Sequence, residues 1–130
     1  MSEDELKIRF HEAIEKRDSG DAEGALKILN ELVERYPTRA SVWGTIGGIY
    51  FVNEDWANAA RTFERATSLA PRSELSSVSL FNSLIHLGRE AEASAEAARF
   101  RKAVPDSLEY HRLERELAER GLALFRLGPS

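Results

Sequence analysis

Three histidines, His11, His86 and His111, and an excess of carboxylates over basic residues are the first places to look for chemistry in this chain. Two histidines one helical turn apart around a glutamate would hold a zinc ion, but none of the three stands in such a spacing. The serines between Ser73 and Ser83 could supply a nucleophile, yet no base or acid lies at the spacing that would activate one. A helix start followed by small packing residues accounts for them. Gly44-Thr45-Ile46-Gly47-Gly48 has the glycine content of a phosphate loop. It lacks the Gly-Lys-Ser/Thr that would follow, and it lies within a helical pattern whose amides are already hydrogen-bonded. Carboxylates alternate with arginine, as at Glu64/Arg65 and Glu114/Arg115, which is the pattern of a solvated helix face with weak surface pairs. There is no cysteine, which removes disulfides, thiolate metal sites and cysteine nucleophiles, and fits a reducing compartment. The expectation is a chain without enzymatic activity, metal or cofactor.

At 130 residues the chain has the length of one domain, expected to span 1–130. Lysine and arginine are interleaved with aspartate and glutamate, and the net charge is −4, so no clustered basic face points to nucleic acid. No apolar run approaches the roughly 18 residues of a membrane span. The start, MSEDELKIRF, is acidic and has no basic segment followed by an apolar one, so no secretory signal is read there. A cytoplasmic location is expected.

Internal periodicity organises the sequence. Pro37, Pro71 and Pro105 are each 34 residues apart, and each follows a stretch with helical spacing. Proline cannot continue a helix interior, so each marks a helix end. The unit closed by Pro71 contains Trp43, Ile46, Gly47 and Tyr50, then Ala59, Phe63 and Ala66. Moving back by one period gives Ala13, Ala25, Leu29 and Leu32; moving forward gives Leu80, Leu84, Ala93 and Phe100. Helices are expected over 3–18, 22–35, 40–52, 55–69, 74–87 and 89–103, with turns at Ser19-Gly20-Asp21, Asn53-Glu54 and Gly88. After Pro105, Asp106-Ser107-Leu108-Glu109 reads as another helix start. Tyr110, Leu113 and Leu117 form its apolar stripe, and Glu109, Arg112, Glu114, Arg115, Glu116 and Glu119 its polar side.

These residues resemble the tetratricopeptide repeat over about residues 4–105. The resemblance implies an all-α fold: a right-handed α-solenoid of three helix pairs (about 4–37, 38–71 and 72–105), a capping helix over 106–120 and an apolar tail over 121–130. A single pair cannot bury its apolar face, so pairs must stack and the last needs a cap. A small residue on the first helix, Ala13 or Gly47, admits the second helix at Ala25 or Ala59, and Leu29 or Phe63 fills the space between. The third unit inverts this, with Phe81 at the small position and Ala97 at the large one, an exchange that conserves volume. The tail Leu122-Ala123-Leu124-Phe125-Arg126-Leu127 is apolar enough to dock on the cap or pair with another molecule, a second copy of the chain included.

In the family, the first helices of the units line a concave surface that binds peptides. By repeat register the groove residues here are Phe10, Ile14, Arg17, Gly44, Gly48, Phe51, Val52, Val78, Asn82 and Ile85, with Lys7, His11, Thr45 and His86 nearby. Family members that grip a peptide's terminal carboxylate do so from positions matching Phe10, Ile14, Thr45, Leu75 and Ser79, none of which supplies that clamp. The expected partner is another protein or peptide with an apolar segment; nucleic acid and membrane are not expected. Three roles fit: a binding module or adaptor, a bacterial immunity protein that neutralises a toxin, and a chaperone for an exported protein. The stretch Leu80–Arg89 is similar to that of short bacterial repeat proteins encoded beside toxins.

Overall fold

The computed structural model describes residues 2–119. They form seven helices: α1 (Glu3–Asp18), α2 (Ala22–Arg35), α3 (Ala40–Val52), α4 (Trp56–Leu69), α5 (Glu74–His86), α6 (Glu90–Ala103) and α7 (Leu108–Glu119). No strand occurs among the described residues. The starts of α3, α5 and α7 fall 34 residues apart, as do those of α2, α4 and α6, so the proline period is also the helix period. The chain is an all-α solenoid of stacked helix pairs. The apolar segment 121–130 lies outside the described residues.

Local chemistry sets the helix ends. Asp21 and Asp55, one period apart, accept hydrogen bonds from the amides of Gly24 (2.8 Å) and Asn58 (3.3 Å). Ser73 and Ser107, also one period apart, do the same for Ser76 and Tyr110. Each cap satisfies an amide that the helix itself cannot, typically worth about 1 kcal/mol. The turns inside the pairs place residues 20, 54 and 88 in the left-handed region, at φ of 92°, 59° and 74°. Gly20 and Gly88 take this conformation at little cost. Glu54 takes it with a side chain, at a cost on the order of 1 kcal/mol.

Packing follows the small-against-large rule. A Cβ on Gly47 would lie 2.9 Å from Cζ of Phe63, so the Phe63 ring occupies the space a side chain would need. Ala13, Ala25, Leu29 and Leu32 are wholly buried in one apolar cluster spanning α1 to α3. The other cluster runs from α4 to α7 and contains Phe81, 1% exposed, and Ala97, 0% exposed. The inverted pair in the third unit is therefore core on both sides. The Phe81 ring does more than fill volume: it meets the Tyr110 ring of α7 edge-on, with centroids 5.8 Å apart and planes at 89°. Tyr110, fully buried, also packs against Phe100 at 5.4 Å.

A polar chain crosses this apolar junction. Ser77 on α5 donates to Oε2 of Glu96 on α6 at 2.6 Å, and lies 2.6 Å from the Tyr110 hydroxyl. The single Ser77 proton is committed to Glu96, so Tyr110 donates to Ser77 Oγ. Arg99 closes the chain with two hydrogen bonds to the Glu96 carboxylate, at 2.8 and 2.7 Å, and a third to the Pro71 carbonyl. Every member has a partner, the condition under which a buried polar group is tolerated. The sequence reading treats carboxylates beside arginines as solvated; Glu96 is only 9% exposed and departs from it. A second tie runs alongside, from Ser107 Oγ to Glu74 Oε2 at 2.7 Å.

Burial pushes the Tyr110 hydroxyl well above the ordinary tyrosine range, and the nearby Glu96 carboxylate adds to it. A hydroxyl held neutral only in the folded state contributes stability that is complete below the unfolded value of about 10 and fades as pH rises above it. Stability is therefore expected to fall from about pH 10 upward. Tyr110→Phe should lose that part of the decline in denaturant melts. Identical alkaline slopes for the two proteins would show that Tyr110 does not carry it.

Candidate partner-binding groove

The first helices of successive pairs touch, α3 with α5 and α5 with α7, while the second helices stand further apart. The stack consequently curves with α3, α5 and α7 on its inner side, and the repeat register puts α1 in line with them. These helices run parallel. Their starts meet through Glu74–Ser107 and Ser77–Tyr110, and the ends of α3 and α5 meet through an aromatic series. In that series Phe51 meets Trp56 edge-on at 5.0 Å, and Trp56 stacks on His86 at 3.9 Å with planes 4° apart.

The α3 helix carries the barest surface. Val42, Ile46 and Ile49 face the core, while Gly44, Gly48 and Val52 follow one another at four-residue spacing on another side. A Cβ on Gly48 would meet nothing within 4 Å, and one on Gly44 would meet only Ser76 Oγ at 3.8 Å. Val52 is 81% exposed. Unlike Gly47, these two glycines have room for a side chain and lack one.

The other groove residues expected from sequence divide by burial. Phe10 is partly buried against the first cluster, and Phe51, Val78 and Ile85 against the second. Ile14 and Asn82 are half-buried and Arg17 is exposed. Phe51 and Ile85 thus support the fold and present only part of their surface. Lys7, His11 and His86 are exposed, and Leu75, at the start of α5, is 79% exposed. Trp56 was missed by the sequence reading. Its signal was available: an aromatic residue immediately after the Asp55 helix cap, one turn from the end of α3.

Among the described residues no group of three histidine, aspartate or glutamate side chains is placed to hold a metal. No helix among them is long and apolar enough to cross a membrane.

A family model described as tetratricopeptide repeat matches residues 10–39. Two solved structures superpose on almost the whole chain. The first TPR of Spaghetti (RPAP3), bound to the HSP90 peptide SRMEEVD, gives a TM-score of 0.76 at 13% identity, covering 95% of this chain and all of the other. The chain has the tetratricopeptide-repeat fold. The type III secretion translocator chaperone SycD of Yersinia enterocolitica, in an alternative dimer, is similar at a TM-score of 0.74 and 17% identity, covering 95% of this chain and 93% of that one. No curated protein sequence matches the chain. With the repeat fold in place, the 34-residue offsets acquire a spatial meaning. Gly44, Val78 and Arg112 occupy one register on the three parallel inner helices, and Gly48, Asn82 and Glu116 the next. The inner surface of this tetratricopeptide array is apolar and bare at α3 and becomes charged at α7, where Arg112 pairs with Glu109 and Glu116.

Proposed function

We propose that this chain is a protein-interaction module that receives an apolar segment of a partner protein against the inner faces of α3 and α5. The observation that carries this reading is the bare line Gly44, Gly48 and Val52. Glycine in a helix interior costs about 1 kcal/mol relative to alanine. Neither Gly44 nor Gly48 recovers that cost through close packing, since a Cβ at either meets no crowding. A floor without side chains lets a partner's backbone or ring approach the helix directly. The flanking groove residues, Phe10, Ile14, Val78 and Ile85, are apolar, and Arg17 and Asn82 are its polar members. The structure bound to the HSP90 peptide supports peptide binding as a use of this fold. The positions here that match a carboxylate clamp, Phe10, Ile14, Thr45, Leu75 and Ser79, carry no lysine, arginine or asparagine, so a peptide's terminal carboxylate is not the anchor.

The glycines separate folding from binding. Changing both Gly44 and Gly48 to alanine is expected to raise stability by roughly 1–2 kcal/mol and to leave capture of the partner nearly unchanged. Gly48→Leu is expected to fold and to abolish capture by filling the floor. Denaturant melts beside affinity purification with mass spectrometry, comparing the wild type with the leucine variant, make the measurement. A folded leucine variant that retains the wild-type partner at full strength would move the binding surface elsewhere. The identity of a partner lost only in that variant separates an adaptor, a toxin-neutralising protein and a chaperone for an exported protein.

A further inference from the structure

A cleft of about 590 Å³ is lined by Trp43 of α3 and by Arg61, Thr62, Glu64, Arg65 and Ser68 of α4. It shares no residue with the line Gly44, Gly48 and Val52. The 34-residue register shows what this place holds in the other two units. In the third, Ser77, Glu96 and Arg99 stand where the second has Trp43, Thr62 and Arg65. There Arg99 is held by two hydrogen bonds to the Glu96 carboxylate and one to the Pro71 carbonyl. In the first, Arg9 and Glu31 take the places of Trp43 and Arg65, and they pair with each other at 3.0 Å. The second unit lacks both partners that hold Arg99. Thr62 stands in place of the carboxylate, and its hydroxyl donates to the Asn58 carbonyl. The Pro37 carbonyl, one period before that of Pro71, accepts from Trp43 Nε1 at 2.8 Å. Arg65 is left over the Trp43 ring, 5.9 Å from its centroid. Arg61, one turn earlier, donates to the Asn58 side chain. Among the described residues neither guanidinium forms an ion pair with a carboxylate.

We propose that this cleft receives the carboxylate of an acidic residue of a partner protein, completing in trans the pair that Glu96 and Arg99 make within the third unit. Guanidinium and carboxylate match as forks, so Arg65 takes both oxygens and Arg61 adds a donor from one turn away. An apolar residue beside the acidic one packs on the exposed part of the Trp43 indole, which is half-buried against both apolar clusters. Arg61, Glu64, Arg65 and Ser68 are exposed, so the cleft is open along one side. It suits a residue delivered by a protein chain better than a free small molecule, which needs enclosure. Glu64 is on the wall, its carboxylate 3.7 Å from Arg89, and favours a guest with one negative charge over a phosphate dianion. The site does not depend on the groove reading above.

Trp43 and Trp56 are the two tryptophans, so the full chain with Trp56→Phe reports on Trp43 alone. The probe is the capped peptide acetyl-Gly-Phe-Glu-Gly-amide, whose single carboxylate is its side chain, beside the same peptide with glutamine in place of glutamate. The glutamate peptide is expected to change Trp43 emission and to bind about tenfold more tightly than the glutamine peptide, the step that charge-assisted hydrogen bonds provide. Arg65→Gln should erase that preference. Thr62→Glu puts a carboxylate at the register of Glu96, so it should pair with Arg65 and abolish binding of the glutamate peptide. Gly48→Leu should leave that binding unchanged. Equal affinities for the two peptides overturn the proposal, as does a preference for glutamate that survives Arg65→Gln or a folded Thr62→Glu chain that still binds. If Thr62→Glu does not fold, Arg65→Gln decides, because Arg65 is exposed. Phenyl phosphate bound more tightly than the glutamate peptide overturns it in favour of a phosphate site. Loss of peptide binding in folded Gly48→Leu overturns it in favour of the inner groove.

Discussion

Replacing Phe81 with alanine is expected to lower stability by about 3–5 kcal/mol, the range for a buried phenylalanine. The side chain is 1% exposed and sits where the preceding unit has Gly47, so its loss leaves a cavity between α5 and α6. Adding Ala97→Phe approaches the arrangement of the second unit, in which Phe63 lies on Gly47, and should recover part of the loss, the Cβ left at position 81 being one that the second unit does not have to accommodate. Recovery should stay incomplete, because the edge-on contact of Phe81 with Tyr110 is not rebuilt by a ring at position 97. A double-mutant cycle by denaturant melts measures the coupling. Additive behaviour would show that positions 81 and 97 do not share a space.

The second large effect concerns α7. A chain stopped after Pro105 is expected to lose several kcal/mol of stability, and to aggregate, because removing Tyr110, Leu113 and Leu117 uncovers Phe81 and Phe100. It also strips the Tyr110 hydroxyl from Ser77 and opens the Glu96 carboxylate to water. Melting temperature and sedimentation behaviour test this. A shortened chain that melts with the full one and stays monomeric would show that α7 does not close the stack.

Most of the fold was legible because it is written in spacing. The three prolines mark the ends of the pairs, and helix limits read from them agree with the structure to within one or two residues. The exchange of Phe81 and Ala97 was equally visible, since register alone names the partners. The polar chain through Ser77 was not. Ser77 stands one period after Trp43, so the third unit lacks the large indole at that place. Sequence shows the gap but not what fills it, because Tyr110 arrives from a helix outside the repeat, and Glu96 is a charged residue at a register position that Ile28 and Thr62 fill in the first two units, so its burial depends on partners that spacing does not name. Glu54 is a parallel case. The positions 20, 54 and 88 share one backbone conformation, but only two of them advertise it with glycine. At the groove, register named Gly48 and Val52, but how much of Phe51 and Ile85 the fold itself consumes depends on three-dimensional packing.

The Ser77–Tyr110 contact also makes the third unit selective about the helix that follows it. In a uniform array any pair can follow any other, and arrays lengthen or shorten by duplication. Here a duplicate of the third unit placed after itself would put a copy of Ser76 where Tyr110 now lies, since those positions are one period apart. The small hydroxyl would leave a void against Phe81 and Phe100, and Ser77 and Glu96 would lose their cover. The third unit is complementary to α7 and not to itself. Lengthening by insertion between the first and second units avoids this junction; tandem growth at the third does not.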